Sequence, residues 1–156
     1  HAQFRFCRKT PEGTYLVPFM AEGVVREVDG DGRIVHEFPR VASPVAAVRL
    51  EDGHTLITGG GRVTEYDHAD RVVWQLRPSD VPDLNLATLA GVTRLPNGNT
   101  LVCNWNTRDA DGRLGAHVFE VTDDKRVVWT VSGTQLGQVA QCQALDQDLR
   151  PLPGWR

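Results

Sequence analysis

The chain has 156 residues, 40% of them hydrophobic and 24% charged, and its 17 Lys plus Arg against 20 Asp plus Glu give a net charge of -3. That balance provides no basic footprint for nucleic acid or an anionic membrane, and no run of 18 apolar residues offers a membrane span. Cys7, Cys103 and Cys142 are odd in number, widely spaced and free of any C-x-x-C pairing, which argues against a disulfide framework and a zinc site.

In chain order, four short strands are expected from Phe4 to Lys9, Tyr15 to Val17, Val24 to Val28 and Arg33 to Phe38. Arg5, Arg8 and Lys9 interrupt the first segment, so no signal-peptide pattern opens it, although a mature or excised N-terminus would look the same. Four more follow from Val45 to Leu50, Thr55 to Thr58, Arg62 to Tyr66 and Arg71 to Leu76. A third set runs from Gly91 to Leu95, Thr100 to Cys103, His117 to Val121 and Arg126 to Val131. All are short, rich in β-branched residues and separated by turn clusters, the pattern of antiparallel meanders. No stretch sustains a helical period of apolar residues.

The three sets are copies of one another. Turns at Pro11-Glu12-Gly13, Glu51-Asp52-Gly53 and Pro96-Asn97-Gly98 recur at spacings of 40 and 45 residues; Glu27, Glu65 and Glu120 hold one repeated position, and His36, Trp74 and Trp129 another. A four-stranded unit of roughly 40–45 residues is the size of a β-propeller blade. The expected fold is therefore all-β, a single partial propeller with blades at about 4–38, 45–76 and 90–131 and the first strand of a further blade at 139–145. That last strand aligns with the first by placing Cys142 over Cys7 and Leu145 over Thr10, where the other blades have Ala47 and Val92 in the cysteine position, so these cysteines read as small buried residues. Three blades cannot close a ring. Either the chain is a segment of a longer propeller, or other segments or identical chains complete it.

Several local patterns read as turns. Asp29-Gly30-Asp31-Gly32 has alternating carboxylates like a calcium loop but lacks the remaining ligands, and it occupies the hairpin between strands three and four. Gly59-Gly60-Gly61 joins two strands and opens no helix that could receive a phosphate. His1 has no histidine partner at a copper-binding spacing. His36 replaces a packing Trp, His54 and His68 lie in hairpins, and His117 begins a strand after a loop; the repeat register is not expected to bring three of them together.

Leu95-Pro96-Asn97-Gly98-Asn99-Thr100-Leu101-Val102, with Glu65-Tyr66-Asp67 leading to Arg71-Val72-Val73-Trp74 and Glu120-Val121 leading to Arg126-Val127-Val128-Trp129, resembles bacterial quinoprotein-like and arylsulfotransferase-like β-propellers over nearly the whole chain. The resemblance implies a Trp wedged between neighbouring blades, and a periplasmic or secreted location. For arylsulfotransferase-like enzymes it implies a nucleophilic His a few residues before the Leu-Pro-Asn-Gly-Asn hairpin, but Ala90 to Arg94 and Val45 to Arg49 contain none. The cofactor and calcium ligands of quinone-dependent enzymes match no positions here. No catalytic residue, cofactor or metal ligand is assigned.

The repeats differ in length at two places, from Arg77 to Thr88 and from Asn104 to Ala116. In an up-and-down meander both insertions leave the same end of the third blade, where repeat scaffolds tend to place recognition. Asp80, Asp83, Asn85, Asn104, Trp105, Asn106, Arg108, Asp109 and Asp111 are the candidate ligand-binding residues, with Trp105 stacking on a sugar or peptide group while amides and Arg108 bond its edges. The alternative is that Trp105 folds down to cap its own blade. The expected role is non-catalytic recognition or scaffolding, binding a small ligand, glycan or protein; the rival is a segment of a propeller enzyme.

Overall fold

The computed structural model describes residues 5–106, 112 and 115–151. Twelve strands form three four-stranded antiparallel sheets arranged as a partial propeller arc. The first blade comprises β1 (Arg8–Lys9), β2 (Tyr15–Phe19), β3 (Val24–Val28) and β4 (Ile34–Glu37). The second holds β5 (Pro44–Arg49), β6 (Thr55–Gly59), β7 (Arg62–Tyr66) and β8 (Val72–Leu76), and the third β9 (Thr88–Arg94), β10 (Thr100–Asn106), β11 (Val118–Val121) and β12 (Val127–Val131). The only helical pieces among the described residues are single 3-10 turns at Pro78–Asp80, Pro82–Leu84 and Thr134–Leu136. No helix among those residues is long and apolar enough to cross a membrane.

The blades stack face to face, so a central strand must be apolar on both sides. Every residue of β6 is buried. Successive side chains of a strand point to opposite faces, and Leu56 accordingly joins a core with Val92, Val102 and Phe119 of the third blade. Ile57 joins a core with Leu16 and Val25 of the first blade. A third core packs Val45, Ala90, Leu101, Cys103 and Val118 against Val139, Cys142 and Ala144.

The two repeated sequence positions are cross-strand partners: Glu27 faces His36, Glu65 faces Trp74 and Glu120 faces Trp129. In all three blades the register slips directly after that Glu, a bulge that twists the outer strand locally. The outer-strand aromatic then reaches the next blade's outer hairpin. His36 Nε2 lies 3.0 Å from Asp70 Oδ1, and Trp74 Nε1 donates to the Asp123 carbonyl at 2.8 Å. Trp129 meets no further outer hairpin among the described residues and is 49% exposed.

The turns behave as their residues require. Asp29 and Asp67 each accept two backbone amides across the outer hairpin, from Asp31 and Arg33 and from Ala69 and Arg71, so the alternating carboxylates at 29–32 serve a turn. Gly60 and Gly61 both have positive φ, 57° and 70°, in the two-residue connection between β6 and β7, the backbone a tight hairpin demands.

The structure differs from the expected elements at both ends. The opening strand is regular only at Arg8–Lys9, with a separate parallel bridge from Phe6 to Ala46. Residues 139–145 form no regular strand; they attach through the Ala140 carbonyl, which accepts from Gly91 N at 2.9 Å, and an isolated bridge joins Leu145 to Pro151. Asp146 N donates to Arg150 O and Leu149 N to Asp146 O, the pattern made by Leu50 with His54 and Gly53, and by Leu95 with Asn99 and Gly98. Asp146 therefore stands where Thr10, Leu50 and Leu95 stand. The fourth repeat sits one residue away from the alignment that placed Leu145 over Thr10, because the turn, and not the cysteine match, sets the register.

Candidate functional site at the seam of the second and third blades

Each seam is held by the repeated Glu. The residue just before the second strand of a blade hydrogen-bonds to it, and in the first two seams the Arg that ends the next blade's first strand pairs with it. In the first seam Glu27 accepts from the Thr14 hydroxyl and pairs with Arg49. In the second, Glu65 Oε1 lies 2.9 Å from His54 Nδ1 while Oε2 pairs with Arg94. In the third, Glu120 accepts from Asn99 Nδ2 at 2.5 Å and Asn97 Nδ2 at 3.3 Å, and Leu145 occupies the position that Arg49 and Arg94 hold in the earlier repeats. Arg94 also lies over the Trp74 ring, 5.3 Å from its centroid, and its Nη1 donates to the Gly98 carbonyl at 3.0 Å.

The second seam places a titratable side chain at the position that serves the Glu. Where the neighbouring seams place Thr14 and Asn99, it places His54; Asp52 Oδ2 is 3.6 Å from His54 Nδ1, and the His68 ring packs edge-on at 5.5 Å between centroids. Gly53 between them has φ of 81°, and a Cβ there would come within 2.3 Å of the His68 ring, so the turn needs glycine for both its backbone and its space. The hydrogen bond to Glu65, helped by the nearby charges of Asp52, Glu65 and Asp67, raises the His54 pKa above its ordinary 6.5. The cluster borders a groove of about 610 Å³, lined by apolar Val48, Leu50, Trp74 and Leu95 together with Arg94 and Asp123.

This arrangement can exchange a proton at His54 beside apolar side chains. One donor atom each from Asp52, His54 and Glu65 also lie within 4.8 Å of one another and could hold a divalent cation. Such an ion would have to displace the His54–Glu65 hydrogen bond and sit against the Arg94 guanidinium.

Of the sequence-predicted residues, Asn104 and Trp105 lie in the half of β10 away from the Pro96–Gly98 turn. Asn104 is fully buried; its Nδ2 donates to Asn85 O and Ala116 O, each at 3.1 Å, and its Oδ1 accepts from Ala87 N. It joins the two insertions side by side rather than facing a ligand. Asp80 accepts from Arg77 N at 2.8 Å and pairs with Lys125 at 3.2 Å, and those bonds lower its pKa, the Arg77 amide most. Asp83 is exposed and Asn85 half-buried with φ of 50°. Trp105 is half-buried, packs on the third core and lies 5.2 Å from the Arg5 guanidinium. Of Asn106 only the backbone is described, and Arg108, Asp109 and Asp111 lie outside the described residues. Val81 and Leu84 of the first insertion are buried in the core between blades two and three.

Sequence reasoning missed the meeting of His54 and His68 with Asp52 and Glu65. The signal was present: the hairpins joining strands one to two and three to four leave a meander at the same end, and both histidines sit in them.

No family profile matches the chain, and no curated protein matches it in sequence. Among solved structures it is similar to a protein of unknown function from Bacteroides caccae, with 27% identity and a TM-score of 0.76 over 86% of this chain and 51% of that one. It is also similar to a streptogramin B lyase, at 14% identity and a TM-score of 0.59 over 81% of this chain and 40% of that one. A virginiamycin B lyase from Staphylococcus aureus follows at 10% identity and a TM-score of 0.57, with the same coverage of 81% and 40%. The chain thus spans about half the length or less of these structures. What it shares with them is a propeller-like all-β fold that occurs in bacterial lyases and in bacterial proteins of unknown function.

Proposed function

We propose that this chain is an arc of a larger propeller enzyme, and that the groove between its second and third blades binds a small amphipathic molecule on which His54 acts as proton donor or acceptor. The observation that carries this reading is the comparison of the three seams. Thr14 and Asn99 serve the repeated Glu in their blades, so packing does not require a histidine at that place. The second repeat nevertheless sets His54 there, with Asp52 and His68 beside it and a groove in front. Two of the similar structures bear the name lyase, which favours an enzyme arc over a passive scaffold while the likeness itself is one of fold. The quinoprotein-like and arylsulfotransferase-like resemblance agrees with the enzyme class, but its nucleophile and cofactor ligands have no counterparts at the matching positions.

The test is a protein-observed NMR screen of small amphipathic compounds, read at the His54 ring and Trp74 indole resonances. Compounds that perturb both resonances, and no longer shift the Trp74 indole in His54→Gln, support the reading. Binding that leaves the His54 ring unmoved while perturbing residues 80–85 would refute it and favour the second reading, recognition of a glycan or peptide at the insertion end, for which the exposure of Asp83 speaks.

A further inference from the structure

We propose that Cys103 and Cys142 form a disulfide that staples the start of the fourth repeat to the third blade. Cys103 lies in β10 and Cys142 in the 139–145 segment, 39 residues apart in sequence, yet their sulfurs are 3.0 Å apart. An approach of about 1 Å joins them, since the bonded separation is roughly 2.05 Å.

The repeat explains why the bond belongs at this place. Counting from the hairpins, Cys103 stands where Thr58 stands in the second blade. Thr58 is itself a bridge: its hydroxyl accepts from Ala46 N at 3.0 Å and donates to Ala90 O, in the first strand of the next blade, at 2.8 Å. The third seam places two sulfurs beside that bridge, with Cys142 one residue past the position equivalent to Ala90. Among the described residues it also has no counterpart of the inter-blade ion pair of the other two, because Leu145 stands in the position of Arg49 and Arg94. A covalent link there replaces a missing electrostatic one, and it holds a segment that has no regular strand pairing of its own.

The chemistry suits the pair. The Cys103 thiol donates to the Cys142 sulfur, which keeps Cys103 protonated and lowers the pKa of Cys142 below its ordinary value. Cys142, half-exposed, is thus the attacking thiolate, and buried Cys103 the resolving thiol. An external small-molecule or protein disulfide is the oxidant. Cys142 attacks one of its sulfurs and expels the other as a thiolate; Cys103 then loses its proton and attacks the mixed-disulfide sulfur of Cys142, expelling the second thiolate. Two thiols lose two protons and two electrons, and the oxidant becomes two thiols. Cys7, exposed in the first blade, takes no part.

The protein is equilibrated with reduced and oxidised glutathione at several ratios, alkylated, and mapped by mass spectrometry without reduction. The expected result is a crosslinked pair of peptides containing Cys103 and Cys142, with Cys7 alkylated, and a melting midpoint about 10 °C higher in the oxidised form. Cys142→Ser should leave Cys103 free and abolish the redox dependence of melting, whereas Cys7→Ser should leave both crosslink and shift intact. Should buried Cys103→Ser fail to fold, the mapping of the unaltered protein still decides. Full alkylation of Cys103 and Cys142 under oxidising glutathione, a crosslink through Cys7, or an exclusively intermolecular disulfide would overturn the proposal.

Discussion

Glu65→Ala should destabilise this protein far more than Glu120→Ala, although the two residues occupy the same place in their blades. The Glu65 side chain is 11% exposed and pairs with Arg94, itself 19% exposed, while also bonding His54. Removing it leaves a guanidinium largely out of water with the Gly98 carbonyl, the face of Trp74 and, at 3.9 Å, the exposed Asp123 carboxylate near it. Breaking such a pair by deleting one partner costs about 3 kcal/mol. Among the described residues Glu120 bonds neutral amide donors, from Asn97 and Asn99, and its loss should cost about 1.5 kcal/mol. With an m-value of about 1.5 kcal/mol/M in urea, the unfolding midpoints of the two variants should differ by about 1 M. Urea titration followed by tryptophan fluorescence measures this, since Trp74 borders the broken pair. A double-mutant cycle of Glu65→Ala with Arg94→Ala should give a coupling of about 2 kcal/mol. Equal midpoints for Glu65→Ala and Glu120→Ala, or a coupling near zero, would refute the view that the inter-blade ion pair holds the second seam.

His54 has a folded-state pKa raised above 6.5, so its contribution to stability is fully present below pH 6.5 and is lost as pH rises through the folded value. Urea unfolding at a series of pH values should show that decline in the unaltered protein and a flatter profile in His54→Gln. Trp105→Ala should cost about 2 kcal/mol, between the effect of an exposed aromatic and that of a fully buried one, because the ring is half-buried on the third core beneath Arg5. A thermal or urea titration showing a loss under about 1 kcal/mol, together with glycan or peptide binding that disappears in the variant, would instead support a recognition role for Trp105.

The propeller architecture was legible in the chain because its signals are local. Strand length, β-branched content and turn residues act within a few positions, and a turn such as Glu51-Asp52-Gly53 specifies its hairpin wherever the blade sits. Repetition of Glu27, Glu65 and Glu120 against His36, Trp74 and Trp129 even marked cross-strand partners, since a hairpin's register follows from its turn. What crosses a seam was not legible. Whether Glu65 meets Arg94 and His54, whether Cys103 meets Cys142, and whether Asn104 faces a ligand or ties Asn85 to Ala116 all depend on how one sheet lies on the next. Both faces of a central strand such as β6 are apolar, so its alternation does not say which side meets which neighbour. Blade packing alone brought the charged and sulfur-bearing residues of separate repeats within bonding distance, and with them the candidate site.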